Sequence, residues 1–280
     1  MFAAILSLGG IGLVAATALG VAAKKFAVEI DPRELAILEV LPGANCGACG
    51  YPGCSGYAKG VAEGKALPTA CSPGGAEVIE AIASVLGIEA VTFEPQVAVV
   101  ACQGDNQKAK VKYRYLGLTD CNAAQKLADG PKTCPSGCLG LGTCERTCPF
   151  DAIEMTSENL AVINRDKCTG CEKCVAVCPR QVIRMTPRKV TTHVLCNSHD
   201  KGALIRGYCQ IGCIGCHICN KTVPGAFVIE NFLAHTNYEK LDELEDIELA
   251  VTKCPTKCIR DFSSGYPAGS SFVPTRNDAA

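Results

Sequence analysis

The chain contains no tryptophan, only three methionines and four histidines, and just 5% of its 280 residues are aromatic. So little bulk excludes a single large apolar core as the main source of stability, and something else must hold the chain. Charge of either sign is not in excess: 27 basic residues face 28 acidic ones, for a net charge of -1. Such a balance creates no overall field favouring nucleic acid, and no nucleic-acid partner is expected. A nucleophile-base constellation, a Gly-x-Gly-x-x-Gly nucleotide loop and an intact P-loop are also missing, so no catalytic residue and no flavin site are expected. What the chain has instead is 21 cysteines. Secreted disulfide scaffolds are short and seldom carry an odd cysteine count, whereas reduced thiolates bound to metal supply stability without a large core.

The densest cysteine stretch runs from Cys134 to Pro179 and contains two runs that each close on Cys-Pro, CPSGCLGLGTCERTCP and CTGCEKCVAVCP. The second, Cys168, Cys171, Cys174 and Cys178, has the C-x2-C-x2-C-x3-C-P spacing of bacterial two-cluster ferredoxins. Three thiolates two residues apart wrap one cluster, and the fourth, turned away before proline, serves the other. Crossed in this way, Cys168, Cys171, Cys174 and Cys148 are expected to hold one [4Fe-4S] cluster. Cys134, Cys138, Cys144 and Cys178 are expected to hold the second. The first run departs from the pattern because Leu141 occupies the middle ligand slot, and Cys134 is assigned to the vacant corner. Displacement of an assigned ligand, above all Cys134, by Cys121 or Cys209 is the alternative. A structural zinc site is the plain reading of any C-x2-C pair, but zinc sites usually set two pairs apart, and two triplets ending in Cys-Pro oppose it.

Residues 1–23 carry no charged side chain before Lys24 and Lys25. As a helix they would extend about 33 Å, enough to cross a bilayer core. The long apolar run without a basic start favours a retained transmembrane helix over a cleaved signal peptide. Lysines on its C-terminal side place the body in the cytoplasm, as a single-pass protein of the inner membrane. Its glycines and alanines offer close-packing faces to partner helices. Asp31, Pro32 and Glu34 then read as N-cap, first-turn proline and capping-box partner of a helix ending at Leu41. Next come NCGACGYPGC, with Cys46, Cys49 and Cys54, and the distant Cys71, a set able to enclose a cluster, followed by a helix over residues 74–86.

The apolar N-terminus, the NCGACGYPGC block with Cys71 and the downstream ferredoxin runs, in that order, resemble the B subunit of the Rnf complex, the ion-translocating ferredoxin:NAD oxidoreductase. CLGLGTCERTCPFDAI looks like the longer version of that protein found in anaerobic bacteria. The resemblance covers almost the whole chain. It implies a membrane-anchored polyferredoxin that exchanges electrons between soluble ferredoxin and the other subunits of the complex, an enzyme only as part of that translocase. An iron-sulfur subunit of another membrane oxidoreductase, such as a hydrogenase, and an iron-sulfur-braced scaffold are the alternatives.

Residues 97–101 read as a buried strand leading to Cys102, and KAKVKYRY (108–115) as an amphipathic strand or a docking face for an acidic ferredoxin. Further on, Cys121, Cys134, Cys138 and Cys144 are matched 75 residues later by Cys196, Cys209, Cys213 and Cys219, which implies a duplicated ferredoxin unit. The second copy has lost the ligands of one cluster, because Val223 precedes Pro224 and no C-x2-C-x2-C triplet precedes Cys254. Cys213, Cys216, Cys219 and Cys254 remain as one complete set, and His217 reads as an exposed loop residue. The acidic stretch beyond Asn231 reads as a solvated helical face.

Four clusters therefore use sixteen cysteines. Cys102, Cys121, Cys196 and Cys209 are candidates for a fifth, with Cys258 free; buried inert thiols are the alternative. The expected architecture is α+β. A transmembrane helix (1–25) precedes a small helical [4Fe-4S] domain (26–95), a linking region (96–130), a two-cluster ferredoxin module (131–190), a degenerate second module (191–262) and a flexible tail (263–280).

Overall fold

A computed structural model describes residues 2–25, 31–89, 93–241, 244 and 246–264, and at 3–8 and 264 it describes the backbone alone. The first element, α1 (Phe2–Lys25), is a 24-residue helix charged only at Lys24 and Lys25. Ile11, Leu13, Val14, Leu19 and Val21 each keep about two-thirds or more of their surface exposed. The expected transmembrane helix is therefore present as a helix. Among the described residues, however, no helix is long and apolar enough to cross a membrane.

Three helices follow, α2 (Pro32–Val40), α3 (Gly53–Ala62) and α4 (Gly75–Leu86). They pack around Ile37, Tyr57 and Ile82, each almost fully buried. The Asp31 carboxylate accepts from Arg33 N–H at 2.8 Å and pairs with the Arg33 guanidinium at 2.7 Å, so the cap closes on Arg33. Gly87, left-handed at φ 69°, ends α4.

Two modules of like element order make up the rest. The first runs β1 (Gln96–Val100), α5 (Cys121–Lys126), α6 (Thr143–Thr147), β2 (Ile153–Met155), β3 (Ala161–Ile163), α7 (Lys173–Ala176) and β4 (Ile183–Pro187). The second runs β5 (Thr192–Val194), α8 (Gly202–Tyr208), α9 (Ile218–Thr222), β6 (Phe227–Glu230), β7 (Leu233–Thr236), α10 (Ile247–Lys253) and β8 (Ile259–Asp261). In each, the outer strands pair antiparallel, β1 with β4 and β5 with β8, and the inner strands form a hairpin. The strand expected in a linking region is thus the outer strand of the first module. Among the described residues of the acidic stretch, helix runs from Ile247, and Ala250 turns inward; 242, 243 and 245 lie outside the described residues, as does the tail from 265. The basic segment forms no sheet strand and makes two isolated bridges, Ala109 to Cys209 and Val111 to Lys132.

Side chains join the modules. Arg165 approaches His193 Nε2 at 3.0 Å and donates to the Val190 carbonyl at 2.7 Å. Gln103 Nε2 donates to the Lys257 carbonyl at 3.2 Å, and Asn197 Nδ2 to the Arg180 carbonyl at 3.3 Å.

Candidate metal centres

The cysteines gather into five groups. In the N-terminal helical domain, Cys71 is pushed up by burial, and the nearby Cys46, Cys49 and Cys54 thiols push the same way against a hydrogen bond from Gly74 N–H. The loop that presents them is fixed by Asn45, whose Oδ1 accepts from Cys54 N–H at 2.8 Å. Gly53, at φ 85°, leaves room for that contact, since a Cβ there would lie 2.8 Å from the same oxygen.

Cys148, Cys168, Cys171 and Cys174 line one cavity of about 330 Å³ with Ala98, Ile153 and Ile163. Ala98 N–H on β1 points at Cys168 Sγ, 3.4 Å away. Burial pushes the Cys174 thiol up to about 12, helped by Cys168, Cys171 and Cys148. A buried thiol this reluctant to ionise is what a metal overcomes by binding the thiolate.

A neighbouring cavity of about 360 Å³ is lined by Cys121, Cys138, Cys144 and Cys178. Cys134 was expected here, and the structure places Cys121 in the corner that Leu141 vacates. Cys121 opens α5, and its N–H donates to Thr143 Oγ1 at 2.7 Å. Asp120 caps the same helix through Ala123 N–H at 2.8 Å and accepts from the Thr143 hydroxyl at 3.0 Å. This clasp ties the start of α5 to the start of α6, one residue from Cys144. Cys134 lies on the other side of Arg180, whose guanidinium holds the Cys134 carbonyl. The signals in the sequence were the missing thiol at Leu141 and an unassigned cysteine behind a capping aspartate.

The second module has a cavity of about 320 Å³ lined by Cys213, Cys216, Cys219 and Cys254. Cys258, expected to stand free, lines it too, with its Sγ 3.6 Å from that of Cys254. Hydrogen bonds to Cys213 and Cys254 drive the Cys258 thiol strongly upward, while they lower Cys213 and Cys254. Cys216 is exposed, and so is His217, the left-handed residue at φ 60° before α9.

Cys102, Cys134, Cys196 and Cys209, the fifth group, line a fourth cavity, of about 400 Å³, between the modules. Cys121 was expected in this set and is not in it. Among the described residues, no three His, Cys, Asp or Glu side chains converge as one metal ion requires. A cluster of four irons spreads its thiolates more widely than a single ion does.

Adjacent groups touch electrostatically. Cys46 raises Cys171, Cys174 raises Cys144, and Cys102 raises Cys138. Cys213 raises Cys196, while its backbone N–H donates to that thiol. The groups therefore stand in file, from the N-terminal domain through the first module to the second.

Three family models match: "Putative Fe-S cluster" over residues 41–73, "4Fe-4S dicluster domain" over 133–185 and "4Fe-4S single cluster domain of Ferredoxin I" over 210–261. Multiple [4Fe-4S] clusters are thereby supported. The chain is 40% identical over 253 residues to the B subunit of the Na(+)-translocating ferredoxin:NAD(+) oxidoreductase complex of Acetobacterium woodii, covering 90% of this chain and 75% of the relative. It is 39% identical to the B subunit of the ion-translocating oxidoreductase complex of Methanosarcina acetivorans, across 90% of this chain and 95% of that one. With the proton-translocating counterpart of Clostridium ljungdahlii the identity is 41%, across 91% and 90%. Cysteine groups, matched domains and near full-length relatives agree, and the chain belongs to the B subunits of Rnf-type ion-translocating oxidoreductase complexes.

Proposed function

We propose that this chain is the membrane-anchored polyferredoxin of its complex, carrying electrons between soluble ferredoxin and the other subunits. The observation that carries this reading is the file of thiol groups, in which Cys46 neighbours Cys171 and Cys174 neighbours Cys144. A [4Fe-4S] cluster, when bound, accepts and releases single electrons. The residues that would hold clusters are Cys46, Cys49, Cys54 and Cys71; Cys148, Cys168, Cys171 and Cys174; Cys121, Cys138, Cys144 and Cys178; and Cys213, Cys216, Cys219 and Cys254. Hydrogen bonds such as Ala98 N–H to Cys168 Sγ orient the thiolates and spread their charge. Apolar walls, Val100, Ala161 and Ile183 in one cavity, keep water from them. Exposed Cys216 brings the far end of the file to the surface, where a partner's carrier can approach.

α1 is the anchor in this reading, because its apolar side chains from Ile11 to Val21 lie exposed. The lysines that end it support, through the positive-inside bias, a single-pass reading with the body on the cytoplasmic side of the inner membrane. Anaerobically purified chain, titrated with excess reduced ferredoxin and followed by EPR, should show low-potential clusters that reoxidise when the partner subunits are added. Clusters that resist redox cycling would favour a structural brace instead. Deletion of residues 1–25 should release the protein from membranes and abolish membrane-bound ferredoxin:NAD activity.

A further inference from the structure

The matched families account for four clusters, one over residues 41–73, two over 133–185 and one over 210–261. Three of the four thiols that line the cavity between the modules, Cys102, Cys196 and Cys209, lie outside all three matches, and Cys134 lies within the second. We propose that Cys102, Cys134, Cys196 and Cys209 bind a fifth [4Fe-4S] cluster, which bridges the two ferredoxin modules.

The four cysteines are two pairs of equivalents. Cys102 and Cys196 each follow the first strand of their module, β1 and β5. Cys134 and Cys209 each stand four residues before the first cysteine of a cluster run, Cys138 and Cys213. Each module thus contributes the same two positions, and neither can complete the set alone. Glycines keep the space open. A Cβ on Gly104 would stand 3.6 Å from both Cys102 Sγ and Cys209 Sγ, so these sulfurs are within about 7.2 Å of each other. One on Gly137 would stand 3.4 Å from Cys134 Sγ and 3.8 Å from Cys102 Sγ, and one on Gly212, the equivalent glycine, 3.6 Å from Cys209 Sγ.

Donors and charge suit an anionic cluster. Gly104 N–H and Cys138 N–H point at Cys102 Sγ at 3.3 and 3.4 Å. Lys132 lines the cavity, is 2% exposed and donates to the Gly104 carbonyl at 2.5 Å. Among the described residues no carboxylate lies within ion-pair distance of it, although a buried ammonium is costly without a counter-charge. Four thiolates around a [4Fe-4S] core leave a net negative charge, which supplies one. The cavity, at about 400 Å³, is no smaller than the 320 to 360 Å³ of the three module cavities.

The role as a bridge rests on the electron-carrier reading; the site itself does not. Iron and acid-labile sulfide should each be about twenty per chain in anaerobically purified full-length protein. Native alkylation under a thiol reductant, mapped by mass spectrometry, should find Cys102, Cys134, Cys196 and Cys209 protected. Cys196→Ser should lose about four irons and expose Cys102, Cys134 and Cys209. Cys121→Ser should leave those four protected. Iron near sixteen, with the four thiols alkylated in the unaltered protein, would overturn the site, and that measurement stands even where a variant fails to fold. Protection of Cys102, Cys196 and Cys209 that persists in Cys134→Ser also overturns it. Clusters present in full number but refusing reduction would sink the carrier reading and leave the fifth site standing.

Discussion

The two ferredoxin modules share their element order and differ in what fills them. In the first, two thiol-lined cavities flank a core of small aliphatics that includes Val97, Ala98, Ala161 and Ile183. In the second, one cavity survives. Val223, at the position of Cys148, is instead buried with Ala226, Phe227, Leu241 and Ala250. Apolar side chains have taken over from a cluster as the interior of one fold. The strand pairing survived the exchange, so the framework accepts either kind of filling.

Metal removal should separate the modules most strongly. Stripping iron with a chelator under reducing conditions should raise amide exchange in β1 and β4 at least about a thousandfold, because thiol-lined cavities flank their aliphatic core on two sides. Exchange in β6 and β7 should stay within about tenfold of the loaded protein. Equal loss of protection in both strand pairs would mean that the second module also depends on its metal. Reversing the comparison, Phe227→Ala should destabilise the second module by about 3–5 kcal/mol and leave the cluster content of the first unchanged. Urea unfolding followed by visible absorbance and by circular dichroism would separate the two effects.

A smaller difference lies in acid response, since all four histidines fall between His193 and His235. His193 is pushed down from 6.5 to about 3 by burial and then by the Arg165 charge, with the Val190 backbone and Asp261 opposing. The unfolded chain therefore binds this proton first, and stability falls as pH drops below about 6.5. About 1 kcal/mol should be lost between pH 6.5 and 5.5. Urea midpoints of the second module measured across that range should show the slope, and His193→Gln should flatten it. An unchanged slope in the variant would assign the acid response to other groups.

Much of this was legible in the sequence because it is local. Asp31 and Pro32 announced α2, VAVVA announced β1, and the C-x2-C-x2-C-x3-C-P spacing brought Cys168, Cys171 and Cys174 together with the distant Cys148. Loss of a cluster from the second module was readable from Val223. The placing of Cys121 in the slot assigned to Cys134 was readable only as one alternative beside Cys209, because a slot emptied by Leu141 can be refilled from any loop that reaches it. Reach depends on the Asp120–Thr143 clasp and on Arg180, contacts made across 23 and 46 residues. The offset of 75 residues that aligned Cys121 with Cys196 misled for the same reason. Position along the strands pairs Cys196 with Cys102.

The thiols of each cavity in the two modules come from segments far apart in the chain. Cys121 and Cys178 meet in one, Cys148 and Cys174 in another, Cys213 and Cys254 in a third, and Cys102 and Cys209 between the modules. On a growing chain none of these is complete until its last cysteine has left the ribosome. The order in which they can be loaded is therefore written into the numbering: the cavity closed by Cys174 first, then those closed by Cys178 and Cys209, and last the one lined by Cys254 and Cys258. Biogenesis and the file of groups start from the same end of the ferredoxin body, and a chain arrested midway through synthesis would hold the first thiol groups of the file without the last.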